Sequence, residues 1–214
     1  MMIIAVDGSA ASGKGTLAKR LAARFNLSHL DTGSLYRALA LDLLQSGQTT
    51  DTIDEKTAAS AIEGLDPALA DAADIRTDRV AGMASVIAAM PLVRAGLVEL
   101  QRGFAMSPPH GEGAVLDGRD IGSVILPDAD FKFFIDADLG VRAARRTREL
   151  QAAGQSVMFR DVLEDMRDRD RRDRERQSAP LKAADDALAI DSSELDADGV
   201  FDRAIDHISS SPEQ

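Results

Sequence analysis

The sequence predicts an α/β fold in which a five-stranded parallel sheet is covered by helices on both faces. Three observations carry this reading. Short apolar runs recur at residues 2–6, 28–30, 114–116, 131–135 and 187–190, each near a turn or helix signal, as buried strands do. Helical apolar spacing falls between or after these runs. Strands that alternate with helices pack as a parallel sheet buried on both sides. At 214 residues and 44% hydrophobic, the chain suits one domain, 1–214, with a full core.

Each element has its own pattern. The first run stops at Asp7 and opens on a glycine-rich turn. The helix after it places Leu17, Leu21 and Phe25 on one face, and the next places Leu35, Leu39 and Leu43. Residues 46–109 carry helical periodicity with little strand signal and are expected to form an inserted helical lobe. Within it Val86, Met90 and Val93 mark a helix that Pro91 breaks or kinks. Residues 142–177 are almost continuously charged, with few apolar anchors, and are expected to form a mobile helical flap. Val200, Ala204, Ile205 and Ile208 mark the last helix, with Asp196 as its N-cap. The polar end, 209–214, is expected to be disordered.

Composition narrows the function. The chain has no cysteine, which excludes disulfides, thiolate metal sites and cysteine nucleophiles and suits a reducing cytoplasm. The apolar N-terminus is too short for a signal or a membrane span. A net charge of -11 makes a poor general binder of nucleic acid or anionic membrane, so anionic ligands would require positive charge gathered locally. A sheet covered on both faces needs no partner, and a monomer is expected.

The first strand runs into Gly8-Ser9-Ala10-Ala11-Ser12-Gly13-Lys14-Gly15-Thr16 and then a helix. This is the strand–turn–helix context of a phosphate-binding loop. Small residues let the backbone curl so that several N–H groups point at one spot, and the helix N-terminus adds partial positive charge. Lys14 adds a mobile full charge for the β- and γ-phosphates. The general motif places Ser or Thr directly after the lysine; here Gly15 intervenes. No direct metal-ligand motif is present, and Thr16 is the residue able to hold Mg²⁺ through water. The Gly-Lys-Gly-Thr ending resembles that of nucleoside monophosphate kinases.

Such a loop does not name the acceptor. A phosphate acceptor is largely a dianion at neutral pH and needs fixed cations to offset repulsion rather than a base. The flap supplies Arg142, Arg145, Arg146, Arg148, Arg160, Arg167, Arg169, Arg171, Arg172, Arg174 and Arg176. Acidic residues alternate with them, with Asp165–Arg169 and Arg169–Asp173 at i,i+4, so single arginines also read as solvated surface pairs.

Four separated segments carry a more specific resemblance. They run from Ile4 through the loop to Thr16; Leu30-Asp31-Thr32-Gly33-Ser34-Leu35-Tyr36-Arg37; Asp117-Gly118-Arg119-Asp120-Ile121-Gly122-Ser123-Val124; and Arg169-Asp170-Arg171-Arg172-Asp173-Arg174, continuing through Arg176 to Ala179-Pro180-Leu181-Lys182. Their order and spacing resemble the bacterial cytidylate kinases over nearly the whole chain. The resemblance implies a P-loop kinase fold with a monophosphate-binding lobe, about 46–109, and an arginine-rich lid, about 142–177. It implies transfer of the γ-phosphoryl group of ATP, with Mg²⁺, to CMP or dCMP. By the same resemblance Gly8 to Thr16 bind ATP, and Lys14, Arg145, Arg146 and Arg176 serve the transfer. Thr32, Arg37, Arg119 and Arg176 lie near the acceptor phosphate, Ser85, Arg94 and Asp120 near the cytosine, and Arg169 and Asp173 near the ribose.

Bland readings stand beside these. Asp31 and Asp117 end strands and could simply cap turns; Tyr36 reads as packing; His29, His110 and His207 are scattered and suggest neither a metal site nor a triad. Asp136 and Asp138 follow a strand and could help position Mg²⁺ through water, but are not assigned that role. Residues 53–74 are shorter than in many relatives, with the lobe's strands reduced or absent. A kinase for UMP or AMP, a kinase for a small alcohol, and a nucleotide-binding switch without transferase activity are the rival functions.

Overall fold

The computed structural model describes residues 1–66, 69, 70, 72–176 and 179–210. In chain order the elements are β1 (Met2–Gly8), α1 (Lys14–Phe25), β2 (Ser28–Asp31), α2 (Thr32–Gln45), α3 (Glu55–Ser60), a 3₁₀ turn (Ala73–Arg76), α4 (Asp78–Ile87), α5 (Pro91–Met106), β3 (Gly113–Gly118), a π-helical turn (Ile121–Ile125), β4 (Phe131–Asp136), α6 (Leu139–Ala152), α7 (Phe159–Glu175), β5 (Leu188–Asp191) and α8 (Ala197–Ser210). The sheet has the order β2-β3-β1-β4-β5 and every pairing is parallel. The five expected strands are all present. Those at β1, β2, β3 and β4 run one or two residues further than their apolar runs, into a terminal acid or glycine.

Alternation along β1 explains why both faces are covered. Ile4 and Val6 point into a core built with Leu17 and Leu21 of α1, Phe133 and Ile135 of β4, and Val200 and Ala204 of α8. Ala5 points the other way, against Ala114, Leu116, Ile121 and Ile125. The chain between β2 and β3 has its own core, in which Leu39 and Leu43 of α2 meet Val80, Met83 and Ile87 of α4 and Val93 and Leu97 of α5. No strand occurs there among the described residues. Pro91 does more than kink a helix: α4 ends at Ile87, Pro91 takes the first turn of α5, and the two axes meet at 97°. Among the described residues no single helix is long and apolar enough to cross a membrane.

The charged stretch after β4 has more anchoring than its composition suggests. Ala143, Leu150, Val162 and Met166 pack together and against Ala10 and Ala11 of the glycine-rich turn. Below them Arg142 is buried to 2% exposure. Its Nη1 and Nη2 donate to the two carboxylate oxygens of Asp170 at 3.2 and 2.5 Å, its Nε donates to the Ala137 carbonyl at 2.8 Å, and Nη1 reaches the Ala10 carbonyl at 3.3 Å. One guanidinium thus binds α6, α7 and the turn after β1 together. Asp196 caps α8, accepting from the Gly199 N–H at 2.8 Å. Of the polar tail expected to be disordered, Ser209 and Ser210 instead form the last turn of α8, and residues 211–214 lie outside the described residues.

Removing one partner of a buried ion pair strands the other. Arg142→Met should destabilise the fold by about 3–5 kcal/mol in urea titration, and adding Asp170→Leu should recover much of that loss. A single variant as stable as the parent would show that the pair does not hold α7.

Candidate active site

The carboxyl edge of a parallel sheet is where loops can gather groups from several strands. Here Gly8 leaves β1 with φ +154°, and a Cβ on it would lie 2.0 Å from the Ile135 carbonyl oxygen, so only glycine lets the chain turn this close to β4. The turn closes at Gly13, in left-handed conformation, and α1 begins at Lys14. Ser9 Oγ donates to Asp136 at 2.5 Å and Ser192 Oγ to the Ser12 carbonyl at 2.9 Å, pinning the turn from outside.

Two cavities open along this edge. The first, about 330 Å³, is lined by the turn from Ala10 to Thr16 and by His29 and Arg146. The second, about 370 Å³, is lined by Thr32, Tyr36, Ser85, Arg94 and Asp120, with Arg176 beside them. Lys14, Arg37, Arg119 and Arg169 line both, together with Asp31 and Asp117. The cavities therefore share a wall rich in cations. A third cavity, about 320 Å³, lies against Gly13 and Thr16, with apolar lining from Leu17, Leu195 and Val200.

The wall is electrostatically tense. Burial and then the neighbouring charge of Arg119 push the Lys14 ammonium down to about 8, against the pull of Asp117 and Asp31. Burial and Arg119 likewise lower Arg169 to about 10. Carboxylates answer this charge. Asp173 accepts from Arg119 Nε at 2.9 Å; burial raises its carboxyl, but Arg119 and Arg169 outweigh that and hold it below the ordinary value. Asp117 lies 3.8 Å from Lys14 and accepts from His29 Nε2 at 2.8 Å; burial raises it too, and that hydrogen bond with the charges of Lys14 and Arg119 outweighs it. Arg176 ends α7 with Nε and Nη2 buried and without a hydrogen-bond partner, Asp173 standing 3.8 Å from Nη2. Buried guanidinium donors of this kind are suited to an anion.

Away from the shared wall, Arg94 donates to Asp120 at 2.5 Å, both nearly buried. The sequence reading treats this arginine as either a surface charge or a base contact, and the structure turns it inward. Ser85 accepts from Arg172 Nη1 at 2.9 Å, linking α4 to α7. Thr32 is buried and donates to the Asp117 carbonyl at 2.8 Å. Tyr36 packs on the core of the lobe and also lines the second cavity.

Arg145 falls elsewhere than the resemblance implies, and Asp31 does more than the bland reading expects. Arg145 does not join the shared wall: it lines the third cavity and donates to Ser192 Oγ at 3.0 Å, the Ser192 carbonyl at 2.6 Å and the Leu195 carbonyl at 3.3 Å. Arg146 is the next residue on α6, and that single step rotates the two side chains to different faces. Asp31 does cap α2, accepting from the Ser34 N–H at 3.2 Å, but it also stands 3.7 Å from Arg37. Sequence reasoning missed His29, Arg142 and Asp7. Asp7 is buried, accepts from the Ile121 and Gly122 N–H groups at 2.8 Å each, and is pushed up to about 7 by burial. The signal available for it was its place at the end of an apolar strand.

Comparison with known proteins bears on this site. Residues 4–210 match the family model described as cytidylate kinase. Proteins named cytidylate kinase from Rhodopseudomonas palustris (strain HaA2) and Methylocella silvestris are 53% and 52% identical to the chain, each over 95% of it and over 94% and 92% of their own length. One from Rhodospirillum rubrum is 48% identical over 96% of both. A crystal structure of an uncharacterized protein from Eubacterium ventriosum shares the fold, with TM-score 0.58 and 18% identity over 99% of this chain and all of that one.

The depressed Lys14 gives the first cavity a pH signature. Affinity for a nucleoside triphosphate should fall as pH rises through about 8, because the free protein then loses the ammonium. Bound phosphates favour the charged form and should move the loss upward in the complex. Lys14→Arg, whose charge persists, should show no such alkaline loss in the same binding titrations. A pH-independent affinity in the parent protein would remove Lys14 from the phosphate contact.

Proposed function

The chain belongs to the cytidylate kinase family, and with that membership as premise we propose that its two joined cavities carry the transfer of the γ-phosphoryl group of ATP to CMP or dCMP. The observation that supports this most is the shared wall. A donor phosphate chain in the first cavity and an acceptor phosphate in the second would meet at Lys14, Arg37, Arg119 and Arg169. Two anions repel; fixed cations between them offset that repulsion and favour an in-line approach, so positioning and electrostatics suffice without a covalent intermediate.

In this reading Gly8 to Thr16 hold the ATP phosphates, with Ser9, Ala10, Ala11, Ser12, Gly13 and Gly15 shaping the turn. Arg146 adds charge from α6, and the third cavity receives the donor's base, beside Arg145. Arg37, Arg119 and Arg176 hold the acceptor phosphate, Thr32 lies beside it, and Arg169 and Asp173 lie near the sugar. Residues 46–109 act as the monophosphate lobe and 142–177 as the lid; of these, 67, 68, 71 and 177 lie outside the described residues. The donor cavity also suits magnesium, since Thr16 contributes a hard oxygen at its lining and magnesium prefers phosphate and water oxygens to dedicated side-chain cages. Thr16 would hold the ion through water, and the ion would neutralise charge on the β- and γ-phosphates.

Base choice follows from the Arg94–Asp120 pair and Ser85. The pair presents an acceptor and a donor side by side. Cytosine offers an N4 amino donor beside ring acceptors and can meet both; uracil presents the reverse pattern and would leave a buried group unpaired. The same reading takes the chain as a cytoplasmic monomer that recruits neither nucleic acid nor a membrane. A net charge of -11, with cations gathered at the cavities, supports that.

Turnover with Mg-ATP against CMP, dCMP, UMP, AMP and GMP tests the proposal. CMP and dCMP should dominate. Asp120→Ala should lower kcat/KM for CMP and narrow its margin over UMP, by about 10²-fold or more where a buried mismatch is relieved. Preference for another monophosphate in the parent enzyme would overturn the base assignment while leaving the shared wall in place.

A further inference from the structure

His29 enters the site from β2, which β3 separates from the strand that leads into the phosphate turn, and the transfer chemistry above makes no use of it. Its register places it opposite Val115, with Asp31 opposite Asp117 two residues on. Its Nε2 lies 2.8 Å from Asp117 Oδ1, while Asp117 Oδ2 lies 3.8 Å from Lys14 Nζ. The imidazole is mostly covered but lines the donor cavity. An ionised carboxylate only accepts, so Nε2 carries the hydrogen.

The distances are informative together. Asp117 is buried at 2% exposure, and a buried carboxylate beside an ammonium gains most by closing to a charge-assisted hydrogen bond of about 2.8 Å. It stands back by an ångström instead. One of its oxygens is held by His29, and its main chain is held as well, since the Asp117 carbonyl accepts from buried Thr32 Oγ1 at 2.8 Å. Asp117 is thereby held both at its main chain and at one carboxylate oxygen.

We propose that His29 is a positioning residue for the donor nucleotide: by holding Asp117 Oδ1 it keeps the carboxylate from closing on Lys14, so the ammonium remains available to phosphate. The identity of the donor as ATP rests on the function proposed above; the restraint on Asp117 does not. Freed of His29, Asp117 would turn towards Lys14, and ATP would have to compete with it.

His29→Met fills similar space without the donor, and His29→Gln retains an N–H within comparable reach. ATP binding by calorimetry, steady-state kinetics and thermal melting of both variants decide the matter. The methionine variant should bind ATP about tenfold more weakly, as loss of a hydrogen bond to a charged group does, with KM for CMP unchanged. The glutamine variant should recover most of the affinity. In an Asp117→Ala background His29→Met should change ATP affinity no further. Unaltered ATP binding by His29→Met, equal loss in both variants at unchanged melting temperature, or a full additional loss in the Asp117→Ala background would each overturn the assignment. Should His29→Met melt early, the glutamine variant decides alone: near-parental ATP affinity supports the role and a tenfold loss refutes it. These readings concern ATP alone, so an enzyme that prefers another monophosphate leaves the test intact.

Discussion

Like charges crowded out of water are the constraint to which the rest of this structure answers. Lys14, Arg119 and Arg169 lie within one another's field, and burial with mutual repulsion lowers both Lys14 and Arg169. Such a cluster survives in a folded protein only when carboxylates offset it or anions complete it. Asp117 and Asp173 provide part of the offset from opposite sides, one from the sheet and one from α7. The rest is left open towards the cavities, most visibly at Arg176. A chain with net charge -11 thus gathers positive charge at the cavities, bounded by acid.

The sheet is the source of much of that acid. Asp31, Asp136 and Asp191 end β2, β4 and β5, and Asp7 and Asp117 each stand one residue from the end of β1 and β3. Each organises a different loop. Asp7 holds the turn after β3, Asp31 caps α2, Asp136 takes Ser9 and stands 3.5 Å from Arg142, and Asp191 takes the Ser193 N–H at 2.8 Å. Parallel strands leave their last carbonyls and side chains on one edge, so acids at that edge can fix loops arriving from several directions. Their place explains why the apolar runs seen in the sequence stop where they do.

Apolar rhythm was therefore a sound guide to the sheet and to the glycine-rich turn, because burial on both faces writes hydrophobic residues at most positions of the central strands. It was a weaker guide wherever polar groups do the organising. The flap reads as solvated charge, yet Arg142 and Asp170 are buried in it as a pair, and a composition count cannot tell an inward arginine from the outward Arg171. Arg94 and Asp120 meet only after α5 turns the corner at Pro91 and lies against the sheet. His29 and Asp117 are far apart in the chain and adjacent only through strand pairing. The separation of Arg145 from Arg146 by one helical step is visible in principle, but which face each occupies depends on where β5 and α8 fall.

The wall that the two cavities have in common is also indifferent to direction. The bond broken and the bond made in the proposed reaction are both phosphoric anhydrides, and the same four cations line both cavities. Nothing in that arrangement favours the forward passage over the return. Net flux would then follow the relative abundance of di- and triphosphates around the enzyme, which makes the protein an equaliser of phosphate potential between two nucleotide pools rather than a one-way pump.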